Sequence, residues 1–282
     1  MHKILLDINE KSEINIFLNF LNNKEYPQHR NIIFSFLPEL KTVIDVEPKS
    51  ESDVVKKFIE DLRKGNKENI DTAVNFVKHE VEAKGEKALD ILAGLMNYEW
   101  QSENQGYILV PTIFPLSPFK DNIFYFSIYK CLKGVTAFPR VLAVSIHEIS
   151  HIMLYDILKD INEELSHELL YFIKELIAPI IVYQDDFCDI FKKEIVGNYN
   201  VLEIYFKMDD KTITAFDYFL KLFEKNRAEG NDFRLFVGQM IHVCKEIESD
   251  IIKKRQFDNN HGIQIMKDPA LLKEFREPIL LH

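Results

Sequence analysis

Cysteine is scarce in this chain. The three present, Cys131, Cys188 and Cys244, lie far apart and form no Cys-x-x-Cys pair. That spacing excludes a disulfide framework and fits a reducing compartment, so a cytoplasmic location is the expectation. Glycine is sparse too, at 9 residues, which disfavours a many-stranded β fold with many tight turns. The opening stretch MHKILLDINEKSEIN has no long apolar run behind a basic region, so no signal peptide is expected. The most apolar run, Leu169–Tyr183, is broken by Lys174 and Glu175 and is too short for a membrane span; it reads as a core helix, and no membrane partner is expected. No internal repeat or low-complexity segment occurs.

Positive charge is also in short supply: 35 Lys and Arg stand against 45 Asp and Glu, for a net charge of -10. The acidic excess is concentrated between Glu148 and Ile190, where the only bases are Lys159 and Lys174. Such a segment repels phosphate, which argues against a nucleic-acid partner. A bound divalent cation would offset part of that field. For Asp156 and Asp160 a solvated helix face is explanation enough.

What the chain has is apolar bulk: 46% hydrophobic residues, with 22 Phe and 11 Tyr for an aromatic core. Its length suits one large domain or two small ones. Residues 1–100 read as a mostly helical region. A short strand is expected at Lys3–Asp7, then helices at Ser12–Leu21, from Ser50 or Ser52 to Leu62, from a cap at Asp71, and over Lys87–Tyr98. Residues 101–282 read as a second region, continuous with the first or separate from it. Here Gly106–Phe114 and Asn122–Tyr129 are rich in β-branched and aromatic residues and are expected to be strands. Helices resume with Pro139 in a first turn. They continue with one long helix over Asn162–Tyr183, bent near Pro179. Further helices are expected at Val201–Lys207, Phe216–Asn226, Asp232–Lys253 and Pro269–Phe275, with a polar loop over Gln256–Gly262. The fold class is therefore α+β and mostly α-helical.

One stretch carries chemistry. Val141–Leu158, VLAVSIHEISHIMLYDIL, contains His147, Glu148 and His151 in the pattern His-Glu-x-x-His. Residues four apart on a helix share a face, so both imidazoles can address one metal ion. Glu148 lies at the edge of that face, placed to act on a metal-bound water. The flanks are apolar, and two histidines and a glutamate in a buried helix require a reason.

A catalytic zinc usually takes three protein ligands. The same-helix extension His-x-x-Gly-x-x-His fails, because Leu154 and Ile157 occupy the positions of its glycine and last histidine. Acids further along are Glu163, Glu164, Glu168 and Glu175. The first two stand close to the connecting turn. Glu168 and Glu175 share a face, and Glu175 has the more apolar neighbours, where a carboxylate is costly unless it meets a cation.

The helix with His147, Glu148 and His151, preceded by a strand and followed by Glu175-Leu176-Ile177-Ala178, resembles the gluzincin branch of the zincin zinc metallopeptidases. The resemblance covers roughly residues 122–183. It departs from the branch at Leu176, where glycine is frequent. It implies a zincin-like catalytic core with a small β-sheet next to the motif helix, Zn2+ as cofactor, and Glu175 as third ligand. It further implies hydrolysis of a peptide or protein substrate, with Glu148 as general base. By the same resemblance, Asn122–Tyr129 would be an edge strand to which a substrate peptide adds. For oxyanion stabilisation His261 is the leading candidate, with His242 and Tyr171 as others. Two other readings stand beside the peptidase: a catalytically silent binding or regulatory protein of the same fold, and a structural helical protein with an accidental motif.

Overall fold

The computed structural model describes residues 2–23, 28–46, 50–100, 106–161 and 163–281. Most of them are helical, with two small sheets, an α+β composition. They divide into two compact units, each discontinuous in sequence. One comprises Met1–Glu86 with Glu103–Ser145, the other Lys87–Ser102 with Ile146–His282.

The first unit holds β1 (Lys3–Leu6), α1 (Glu10–Leu21), α2 (Gln28–Phe36), α3 (Pro38–Val46), α4 (Glu51–Gly65), the first part of α5 (Lys67–Leu95), β2 (Gly106–Thr112), β3 (Phe119–Lys120) and β4 (Ile123–Ser127). α1 begins before the expected Ser12, because the Asn9 side chain accepts from the backbone N–H of Lys11 and Ser12 and caps the helix there. Asp71 starts no helix. α5 is continuous, since Val74, Val77, Val81, Ala88, Leu89 and Leu92 form one buried stripe through both expected segments. A buried polar knot ties α1 and α4 to β2. Glu13, 1% exposed, accepts from Thr112 Oγ1 at 2.7 Å, Ile113 N at 2.6 Å and Arg63 Nη1 at 2.6 Å.

The sheet of this unit has the order β1-β2-β4-β3, with β1, β2 and β4 parallel and β3 antiparallel to β4. This corrects the expectation of an edge strand at Asn122–Tyr129. β4 lies between β2 and β3, and the segment before it uses its remaining donors: Tyr125 N bonds Pro118 O and Ser127 N bonds Ser117 Oγ. β4 also ends at Ser127; Tyr129–Lys133 is a 3-10 turn closed by Gly134 at φ 82°.

The second unit holds the end of α5, α6 (Val141–Ile161) from Ile146 onward, and α7 (His167–Val182). After these come α8 (Tyr199–Leu202), β5 (Tyr205–Met208), β6 (Lys211–Thr214), α9 (Ala215–Ala228), α10 (Phe233–Glu246), α11 (Glu248–His261), α12 (Pro269–Phe275) and β7 (Ile279–Leu280). α7 is its apolar centre and packs against α9, α10 and α11. Its expected start, Asn162, lies outside the described residues. Residues 163–166 are not helical, and the Ser166 hydroxyl caps α7 by accepting from Leu169 N.

Three other expectations are corrected here. Val201–Lys207 is not one helix: α8 stops at Leu202 and β5 pairs with β6 through a turn at Asp209, φ 51°. Alternation decides it, with Phe206 fully buried between outward Tyr205 and Lys207. Asp232–Lys253 is broken at Ile247 into α10 and α11. The expected loop Gln256–Gly262 is helical to His261: its Asp258 is buried in a pair with Arg255 just before it, and Gly262 at φ 51° ends the helix. α6 is long and apolar enough to cross a bilayer, but 67% of its most apolar window is buried inside the protein, as in a core helix.

Candidate metal centre

The apolar residues Leu142, Ile146, Ile149, Met153 and Ile157 recur every three or four positions along α6 and are buried. Its interior serines are satisfied within the helix, Ser145 Oγ donating to Val141 O and Ser150 Oγ to His147 O. His147 and His151 project together, with ring centroids 4.6 Å apart and the rings nearly perpendicular. Their Nε2 atoms stand 3.1 Å apart. From α7, Glu175 brings Oε1 to 3.9 Å from His151 Nε2. All three side chains are buried, and ligand atoms of the three lie within 4.8 Å of one another.

These donors fit a divalent ion. Two nitrogens on a tetrahedral zinc at about 2.0–2.1 Å are separated by about 3.3 Å, close to the spacing of the two imidazoles here. Burial lowers the basicity of both histidines; the Lys174 charge adds to the effect, and at His147 Glu175 opposes it, so the surroundings favour the neutral imidazole that metal ligation requires. His147 Nδ1 lies 2.9 Å from the carbonyl of Val196. A carbonyl only accepts, so Nδ1 carries the proton and Nε2 is left with its lone pair facing the cluster. A backbone acceptor behind a ligating histidine is the usual means of orienting it.

Sequence reasoning named no such acceptor. The Val196 carbonyl is positioned by its loop. Gly197 lies against Pro179 of α7, where an added Cβ would come within 3.2 Å of Pro179 Cγ. Asn198 caps α8 with its side-chain oxygen and donates from Nδ2 to the Tyr171 hydroxyl at 2.7 Å. Asn200 Nδ2 bonds Asp258, which pairs with Arg255 at 2.8 Å. Arg255 lies over the Tyr171 ring at 3.7 Å. The loop is thus fastened to α7 and α11. Gly197 and two asparagines in three residues are the local sequence features of this loop.

Glu148, next to His147, is partly open to solvent. Burial nonetheless raises its carboxyl well above the usual carboxylate range, Glu175 adds to the rise and Lys174 opposes it. A carboxyl moved up in this way holds a proton more readily than an ordinary glutamate, as a group that takes up and releases one must.

The remaining candidates sit elsewhere in the unit. Glu168, the other acid considered as third ligand, faces Arg255 Nε at 3.5 Å. Glu163 pairs with Lys245. Tyr171 is tied up by Asn198 and Arg255, and burial raises its hydroxyl pKa first, with Glu175 adding to it. His242 is on the outer face of α10, paired with Glu246 at 3.4 Å. His261 ends α11, with Nδ1 at 2.9 Å from Phe257 O and its ring on Phe257; these contacts are within its own helix. Asp156 accepts from the Tyr98 hydroxyl and from Lys159.

No protein-family model, curated protein or solved structure matches the chain.

Proposed function

We propose that the chain is a zinc-dependent metallopeptidase of the gluzincin type, with a zincin-like core. The observation that carries this is the convergence of His147, His151 and Glu175 from two helices into one buried cluster, with Glu148 beside it. His147, His151 and Glu175 would hold the ion. When bound, it would serve as a Lewis acid and bring the pKa of a ligated water from 15.7 toward about 7.

The chain's own residues do the rest. Glu148 accepts the proton of the attacking water and delivers it to the nitrogen of the leaving amine. The raised carboxyl suits that exchange, and a cation beside it draws the carboxyl back toward its ionised, basic form. The Val196 carbonyl keeps His147 in one tautomer and one orientation. For the oxyanion no residue of the cluster is assigned; His261, with its contacts inside α11, gains no support from the geometry. Two imidazoles and a carboxylate also suit other first-row divalent ions, so metal analysis must read identity as well as amount.

The test combines metal content with turnover of a mixed peptide library. A peptidase loses turnover in Glu148→Gln and on chelation, and a hydroxamate blocks it. Metal without turnover favours a binding protein that keeps the site. A purified chain that takes up no divalent ion sinks the proposal.

A further inference from the structure

Glu175 presents a buried carboxylate, 9% exposed, to the two histidines, with Oε1 3.9 Å from His151 Nε2. A charge so placed needs a partner at all times. The preceding residue provides one. Lys174 Nζ lies 2.6 Å from Glu175 Oε1, and its side chain is only 14% exposed. That is a short, charge-assisted contact between residues adjacent in sequence. The same ammonium lies over the ring of Tyr171, 4.9 Å from its centroid. Its charge also reaches His147, His151 and Glu148, making each harder to protonate.

A divalent ion and an ammonium cannot hold Glu175 Oε1 on equal terms. Like charges a few ångströms apart repel strongly where water is scarce. An ion on Glu175 must therefore displace Lys174 or bind against its field. Lys174 already stands over the Tyr171 ring, which Arg255 also meets at 3.7 Å, so an ammonium released by Glu175 keeps an aromatic contact that requires no carboxylate.

We propose that Lys174 is a built-in counter-cation of the metal site: it holds the Glu175 carboxylate whenever no metal does, and gives it up to an incoming divalent ion while its ammonium stays over the Tyr171 ring. The inference rests on the metal-site proposal. Its consequence is a site whose affinity is set below what its three ligands would give, and which does not strand a buried carboxylate when the ion leaves.

The test is Lys174→Met, which keeps the length of the side chain and removes its charge, with Lys174→Arg as the charged control. Zn2+ affinity is measured by competition with a chromogenic chelator, and thermal unfolding is measured with chelator in excess. Lys174→Met binds Zn2+ tighter by about tenfold or more, because it removes a like charge a few ångströms from the ion. Its metal-free form unfolds at lower temperature than the wild type, and Lys174→Arg stays close to the wild type in both. Unchanged affinity in Lys174→Met overturns the inference. Weaker affinity also overturns it, because Lys174 would then be a donor that supports Glu175 in the loaded site. Should Lys174→Met fail to fold, reductive methylation of the wild type takes its place: Lys174 labels several-fold faster once Zn2+ is added, and an unchanged rate is the opposing result. A wild type that binds no Zn2+ fails at the earlier step and removes both proposals; binding without a gain in Lys174→Met removes this one alone.

Discussion

Gly197→Ala probes how His147 is held without touching any ligand. An added Cβ would stand 3.2 Å and 3.3 Å from Pro179 Cγ and Cβ, and 3.6 Å from Leu202 Cδ1. Unstrained carbon contacts lie at about 3.5–4.0 Å. Pro179 belongs to the centre of the unit and has a rigid ring, so the loop is the part that moves, by a few tenths of an ångström. The Val196 carbonyl moves with it, and its 2.9 Å bond to His147 Nδ1 is stretched toward the end of the hydrogen-bonding range. Overpacking of this kind costs about 1–3 kcal/mol. Alanine recovers about 0.4–1 kcal/mol by stiffening the unfolded chain. The expected net loss is about 1 kcal/mol, a fall of about 2–4 °C in Tm for a domain of this size. Losing an oriented ligand costs up to about tenfold in Zn2+ affinity. Gly94→Ala is the matched control. Gly94 is in the last turn of α5 with nothing within 4 Å of an added Cβ, so alanine there stabilises by up to about 0.5 kcal/mol. Calorimetry and chelator competition on both variants give the answer. If Gly197→Ala raises Tm as Gly94→Ala does, or leaves Zn2+ affinity untouched, the close seat of the loop and its hold on His147 are refuted.

Other consequences follow from the same geometry. Glu148→Gln keeps metal content near wild type and lowers kcat by about 10²–10⁴; loss of the metal in that variant argues against Glu148 as the base. Glu13→Ala destabilises by about 2–4 kcal/mol, because two buried donors, Thr112 Oγ1 and Ile113 N, lose their acceptor, while Arg63 keeps Glu10; a change below about 1 kcal/mol in urea unfolding would show the knot to be incidental. His147 and His151 are both less basic when folded than when unfolded, chiefly through burial. Their contribution to stability is therefore complete above the unfolded value near 6.5 and is lost as pH falls through the folded values. Tm of the metal-free chain thus declines on going from pH 7 to pH 5, and His147→Gln/His151→Gln flattens that decline; an equally steep decline in the double variant contradicts it.

The sequence conveys much of this site and less of its support. His147 and His151 were legible because helical spacing is local: four residues place two rings together whatever the rest of the chain does. Glu175 stood out because a carboxylate among Phe172, Ile173, Leu176 and Ile177 is expensive without a cation. Val196 could not be read, since its backbone carbonyl carries no side-chain signature and its partner is far away in sequence. The edge position of β4 came with the resemblance and not from the residues, and the two-residue strand β3 that covers it is too short to leave a periodic pattern. The hairpin of β5 and β6 was hidden for a similar reason: Val201–Lys207 holds enough apolar residues for either period, and the turn at Asp209 decides between them. The polar run Gln256–His261 stays helical because Arg255 and Asp258 satisfy each other inside, a tertiary pairing that composition does not reveal.

Metal content addresses the central claim most directly. The purified chain, reconstituted with Zn2+ and dialysed, is analysed by inductively coupled plasma mass spectrometry beside His151→Ala, Glu175→Ala and Glu168→Ala. A site built from His147, His151 and Glu175 retains about one ion per chain in the wild type and in Glu168→Ala, and far less in the other two. A wild type that retains none, or a Glu175→Ala variant that retains a full complement, contradicts it.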